Sequence, residues 1–410
     1  MLRILALGGV LAMAAAMPAG ADDAGRFTQD PAATLLLPYF EVELPKKPGK
    51  AHGKRRTTIF QVGNAGAAAA LAHVTVWSDL AVPVTAFDVY LTGYDIQEID
   101  LFDVVEGRFP QTGDGAVAPG CAGLLPPPPQ QDEGFVLHLR AALTGQPSDL
   151  LGGLCAGQDY GEKKPVARGY VTVDSVVDCS ALFPGNPGYF ISGGGGIANN
   201  ENVLWGDFFL VDRKQKRTAG GPLVHVRADA ADPATDGPGD YTFYAGQVDG
   251  LGSDNRQPLA SSVGGRYTND PADAFFREGT RLGVWRDPKQ RTVPFACEGS
   301  PPWYRLNQTE VVVFDDQENA ETPSHPVPPP PAPQPLLIPF PAATQLVRVG
   351  GPELPVSFER GWFFLNLDTL ISGQVPLAAP ETAQSWVFVL MDGKKTNALV
   401  PTTIFEPAGF

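Results

Sequence analysis

The 410-residue sequence predicts an all-β protein built as an antiparallel β-sandwich. Three observations carry this prediction. Short segments alternate apolar and polar residues with a period of two, and favour β-branched and aromatic side chains. They recur at regular spacing with turn residues between them, the signature of a sandwich. The composition holds 46 Gly and 41 Pro but only 18% charged residues, which fits neither a helical protein nor an acidic disordered one.

The first 21 residues stand apart. Arg3 precedes an apolar run from Ile4 to Met17, Pro18 breaks it, and Ala19-Gly20-Ala21 offers small residues to a signal peptidase. The run is shorter than the roughly 20 residues of a bilayer span. Export with removal of residues 1–21 is expected, with no transmembrane anchor and no cysteine at the cut for a lipid. Strand-like segments then follow at Leu35–Leu44, Thr57–Val62, Leu71–Trp77, Thr85–Leu91 and Asp95–Leu101. In Leu71–Trp77, Ala72, Val74 and Val76 share one face, and His73, Thr75 and Trp77 the other. Gly63-Asn64-Ala65-Gly66 supplies turn chemistry between the second and third segments.

The middle of the chain repeats the pattern with longer loops. Its expected strands are Phe135–Leu139, Tyr170–Val177, Val203–Val211, Leu223–Arg227, Tyr241–Tyr244, Arg281–Arg286 and Glu310–Phe314; only Pro258–Val263 hints at a short helix. Thr322–Pro341 is so proline-rich that it reads as a stiff, extended spacer. Strands return at Gln345–Val349, Gly361–Leu367, Ser385–Met391 and Thr402–Phe405, with an Asp-Gly turn at Asp392-Gly393. Few strands lie at either end, and each set alone makes a marginal sheet. The expected organisation is a leader (1–21), a first sandwich part (33–105), a β-rich middle lobe (106–321), a linker (322–341) and a second sandwich part (342–410). The two terminal parts would combine.

The stretch TTIFQVGNAGAAAALAHVTVW, with FDVYLTGYDIQEIDL after it, resembles the strand, Asn-turn, strand, strand pattern of bacterial immunoglobulin-like sandwiches. GWFFLNL is similar to a strand of the same modules. That resemblance covers about residues 33–101 and 361–405 and implies an immunoglobulin-like fold for the terminal sandwich. The pieces LLPYFEV, AHVTVWSD, VYLTGYDIQ, DCSALFPGNPGYF, NVLWGDFFLVD, VWRDPK and PFPA resemble a set of uncharacterised exported bacterial proteins. No activity is assigned to that set, so no functional residue carries over.

Four cysteines in an exported chain favour disulfides. Cys121–Cys155 with Cys179–Cys297 is the pairing expected, because the first pair closes a short loop between Gly/Pro-rich stretches. A zinc site would call for CxxC or HxxxH spacings, and the sequence has none. The net charge of −15 makes the molecule as a whole repellent to nucleic acid and to anionic membranes. Against this background, Lys46, Lys47, Lys50, Lys54, Arg55 and Arg56 form one basic run, and Arg213, Lys214, Lys216 and Arg217 another. Each reads as a solvated loop, or as a local contact to an anionic polymer or lipid head group.

Catalytic signals are weak. Ser192 precedes Gly193–Gly196, but no G-x-S-x-G elbow exists, and no spacing links His52, His73, His138, His225 or His325 to a partner. No residue pattern marks a catalytic or cofactor-binding position. Asp229, Asp232, Asp236 and Asp240 cluster in one Gly/Pro-rich loop and form the candidate calcium site; Asp315, Asp316 and Glu318 follow a strand. Calcium is the one cofactor suggested. Trp77, Trp205, Trp285, Trp303, Trp362 and Trp386 could stack on sugars or pack the core. The expected function is that of an exported structural or binding protein, periplasmic or extracellular, whose partner is an envelope or extracellular polymer or protein. The alternative is a carbohydrate-active enzyme or a calcium-dependent carbohydrate-binding protein.

Overall fold

Strand alternation sorts the side chains of the first half of the chain onto the two faces of paired sheets. The computed structural model describes residues 30–110, 121, 132–237, 241–248, 253–288, 290–301, 303, 304, 306, 310–323, 339–367, 384–394 and 397–405. The leader, His325 and most of the proline-rich stretch fall outside them. The first half holds β1 (Thr34–Glu43), β2 (Arg56–Asn64), β3 (Ala70–Ser78), β4 (Pro83–Leu91), β5 (Ile96–Asp100), β6 (Val166–Val176), β7 (Leu204–Asp212), β8 (Arg217–Pro222) and β9 (Val224–Val226). These make a five-stranded sheet, β4-β3-β6-β1-β9, and a four-stranded one, β5-β2-β7-β8, both antiparallel. Leu35, Leu37, Val74, Val76, Val171 and Val173 of the first meet Phe60, Val62, Ile99 and Phe208 of the second in one buried core. Ala72 joins them, while Trp77 lies in the core on the opposite face, as the alternation predicts.

The second half holds β10 (Ser262–Thr268), β11 (Gly279–Arg286), β12 (Glu310–Asp315), β13 (Ala320–Glu321), β14 (Thr344–Arg348), β15 (Arg360–Asn366), β16 (Ser385–Asp392), β17 (Asn397–Pro401) and β18 (Thr403–Phe405). Sheets β13-β12-β15-β10-β18 and β14-β11-β16-β17 pack across a second core containing Val263, Val313, Phe363, Leu282, Val284 and Val389. The all-β antiparallel class is therefore as expected, but the pairing partners are not. Among the described residues no sheet joins a strand from before residue 105 to one from after residue 342. Instead β6 inserts between β3 and β1, and its apolar length gives both a partner; β10 and β11 do the same for the C-terminal strands, and β12 pairs with β15.

Three local expectations are corrected. Phe135–Leu139 is not a strand but part of the helix Glu133–Leu143, labelled α2 because α1 spans Leu101–Val105. Asp132 caps α2 by accepting from the Phe135 N–H at 2.8 Å, and Val136, Leu139, Ala142 and Leu143 fall on one buried face. A five-residue window shows only alternation there; eleven residues show the helical period. Pro258–Val263 forms no helix, because Ser262 and Val263 open β10. Tyr241–Tyr244 leads into a turn rather than a strand.

The cysteine pairing is also corrected. The disulfides are Cys121–Cys179 and Cys155–Cys297, each with Cα atoms 5.0 Å apart, and no described cysteine is free. Cys155 is held against Phe295 by reciprocal backbone hydrogen bonds of 2.9 Å, which places Cys297 beside it. Contact across the fold, not loop length, decides the partner.

Candidate functional site

The two sandwiches meet along a seam with a small apolar floor. Tyr39, Ala219, Phe388 and Leu390 are buried there, with Leu210, Leu346 and Leu399 packed around them. Gly283, opposite Phe388 on β11, makes the approach feasible. A Cβ at Gly283 would lie 2.0 Å from the Phe388 ring, so only glycine lets the ring lie across the strand. From there Phe388 reaches Phe208 of the other sandwich, edge to face at 6.0 Å.

Above this floor opens a cleft of about 390 Å³. Its walls come from both sandwiches: Glu41 and Glu43 of β1, Arg56 of β2, Asp212 of β7, Arg217 of β8, Arg281 of β11, Arg348 of β14 and Asp392 of β16, with Lys214 and Glu278 on the connecting segments. Five carboxylates thus face five cations. Most are joined to one another. Arg56 bonds Glu41 at 2.9 Å, and Lys164 bonds Glu43 at 2.6 Å. Arg281 grips Asp392 through two nitrogens at 2.5 and 2.8 Å. Burial works against the charge of Arg281, but the bonds to Asp392 and the nearby Glu41 hold its pKa above the ordinary value. Burial, and then Glu41, raise the Tyr39 phenol beneath the cleft far above its usual range.

Arg217 ties the halves together. It leaves β8 almost fully buried and donates to Glu278 at 2.7 Å and to the Gly393 carbonyl, both in the C-terminal sandwich. The sequence shows Arg217 only as the last member of a basic run. Nothing in its spacing reveals that its partners lie 61 and 176 residues away.

Two of the four candidate calcium residues close turns. Asp229 and Asp232 each accept a backbone N–H two residues ahead, from Ala231 and Ala234, at 2.9 Å. Asp236 is exposed, and Asp240 lies outside the described residues. Asp315 likewise closes a turn through Gln317 and Asn319. Among the described residues no group of three or more His, Cys, Asp or Glu side chains gathers as a metal site. The N–H groups of the glycine run are also spent: Gly193 donates to Asn255, and Gly194 and Gly195 to the Ile191 carbonyl. An oxyanion would find few free donors there.

His73 does have partners, which strand register supplies and spacing hides. Asp88 on β4 and Asp174 on β6 sit directly opposite it on the two neighbouring strands. His73 Nδ1 lies 2.7 Å from Asp88, with both side chains buried. Asp174 accepts from Thr34, Tyr189 and Tyr244, and Arg256 bonds Thr34 at 3.0 Å. Burial first, then Asp174, lifts both tyrosines well above their ordinary pKa. The row is sealed from solvent, so it braces the five-stranded sheet rather than meeting a substrate.

Of the other histidines, His138 bonds Ser148 and His225 bonds the Asp30 carbonyl, while His52 packs edge-on against Phe102. Of the six tryptophans only Trp362 is exposed, at 38%, stacked on Phe314 on the outer face of the C-terminal sandwich and away from the cleft. No described helix is long and apolar enough to cross a membrane. The two disulfides fit an oxidising compartment outside the cytoplasm. No protein-family model, no curated protein and no solved structure matches the chain.

Proposed function

We propose that this chain is an exported binding protein of the envelope or extracellular space, and that its ligand seats in the cleft between the two sandwiches. One observation carries the reading: the cleft is lined by equal numbers of opposite charges, four of its carboxylates already bonded to cations. A carboxylate held by a guanidinium or an ammonium is neither a free nucleophile nor a ready proton donor, which is what glycoside hydrolysis asks of its pair. Fixed donors and acceptors over a leucine floor suit a ligand of no net charge that is rich in hydroxyl or amide groups.

The test uses neutral hexasaccharides, maltohexaose and cellohexaose, titrated calorimetrically into the full chain and into Arg281→Gln. The reading expects binding that changes little between low and high salt, and a loss of about tenfold in the variant, as for one charge-assisted hydrogen-bonding group. Unchanged binding by the variant, or release of shorter sugars over time, would overturn it.

A further inference from the structure

We propose that one end of the N-terminal sandwich is a docking surface for a linear anionic polysaccharide. Strand register brings together there the basic segments that the sequence keeps apart. Arg56, which ends the first run, is the cross-strand partner of Asp212, which precedes the second. Lys46, Lys47, Lys50, Lys54, Lys214 and Lys216 therefore crowd one end of the sheet, all exposed. They are six of the eleven lysines in a chain of net charge −15.

Most carboxylates at this end are taken by other groups: Glu41 serves Arg56, Glu43 serves Lys164, Asp100 serves Thr57 and Arg213, and Asp103 serves Arg108, while Asp212 accepts the Gln215 N–H. Among the described residues none of the six lysines has an ion-pair partner. The loop that bears four of them is also pinned in place. The Gly49 N–H donates to Glu106 at 2.7 Å, Arg140 donates to Glu106 and to the Pro45 carbonyl, and His52 lies edge-on to Phe102 at 4.3 Å. Lys216 holds a left-handed backbone, φ +56°, where a turn would ordinarily take Gly or Asn. A lysine kept there at some conformational cost argues for its charge.

The shape of the charge selects the partner. The lysine segments carry no exposed large apolar side chain that could enter a bilayer. A flat anionic membrane would also face the acidic remainder of the molecule, whereas a chain one sugar wide touches the lysines alone. At physiological salt, charges beyond about 8 Å are largely screened from it. Of the six lysines only Lys214 lines the cleft, and this inference does not rest on the cleft reading.

Alginate, a linear polyuronate, is the probe, immobilised for biolayer interferometry with the full chain. Binding is expected at 50 mM NaCl and should weaken by about tenfold or more at 300 mM. The variant Lys46→Gln/Lys47→Gln/Lys50→Gln/Lys54→Gln should lose about tenfold, and Lys216→Gln about threefold, despite their distance in sequence. Arg266→Gln, a charge removed from the far sandwich, should bind as the parent does. Absence of binding at 50 mM, salt-independent binding or parent-like affinity in both lysine variants would overturn the proposal. So would tighter binding to phosphatidylglycerol vesicles than to alginate, which would make the surface a lipid contact.

Discussion

Two buried aspartates put an unusual pH term into this protein. Asp79 accepts from the Tyr160 hydroxyl at 2.7 Å and the Gln158 N–H at 3.0 Å; Asp254 accepts from Thr242, Tyr244 and Arg256. Desolvation outweighs those bonds and raises both carboxyls to about 6. The folded state then holds protons more tightly than the unfolded chain, where Asp titrates near 3.9. Each group therefore favours folding at low pH and loses that contribution as pH rises from about 4 to about 6. Asp79→Asn should remove its share, reducing the difference in unfolding free energy between pH 4.5 and pH 7 by about 2 kcal/mol. Urea titrations at the two pH values measure it, and an unchanged difference would show that Asp79 titrates as an ordinary surface acid. At this scale the sequence was nearly silent. Asp79 and Asp254 look like any other of the 45 acidic residues, because burial is a property of what packs over them. His73 was legible as a sheet-face residue from alternation, but Asp88 and Asp174 appear as its partners only once register is known.

Among the elements, strands were the most legible. Period-two alternation located most of them, and Asn64 closes its expected turn by bonding Ala68, Thr92 and Gly66. Helix α2 was missed because its buried face needs two turns to show. The disulfides were legible as a class and not as a pairing. Cys155–Cys297 closes 142 residues of chain and links a loop of the first half to one of the second. On the chain-entropy account a loop of that length stabilises by up to about 5 kcal/mol, and native strain reduces this. The variant Cys155→Ser/Cys297→Ser should therefore lose about 3–5 kcal/mol in urea unfolding at pH 7. A loss below about 1 kcal/mol would mean that the two loops are already held by the Cys155–Phe295 backbone pairing alone.

At the scale of the whole molecule, the sequence announced a β protein but concealed how its strands combine. Nothing in β1 or β16 specifies whether the partner lies near or far in the chain, since alternating apolar faces are interchangeable until packed. The seam between the sandwiches follows from residues that no motif marks: a glycine that admits Phe388, an arginine that reaches Glu278, and leucines under a ring of paired charges. The same seam makes the cleft. If the sandwiches moved independently, the cleft would be remade at each encounter and its paired charges would not be fixed in advance of a ligand.

Differential scanning calorimetry of the full chain at pH 7, without ligand, shows whether the two sandwiches unfold as one body. One endotherm is expected for the parent protein, because Phe388, Arg217 and the Cys155–Cys297 link join the halves into one body. Two resolved endotherms, each with the enthalpy of half the chain, would contradict it and leave the cleft without a fixed form.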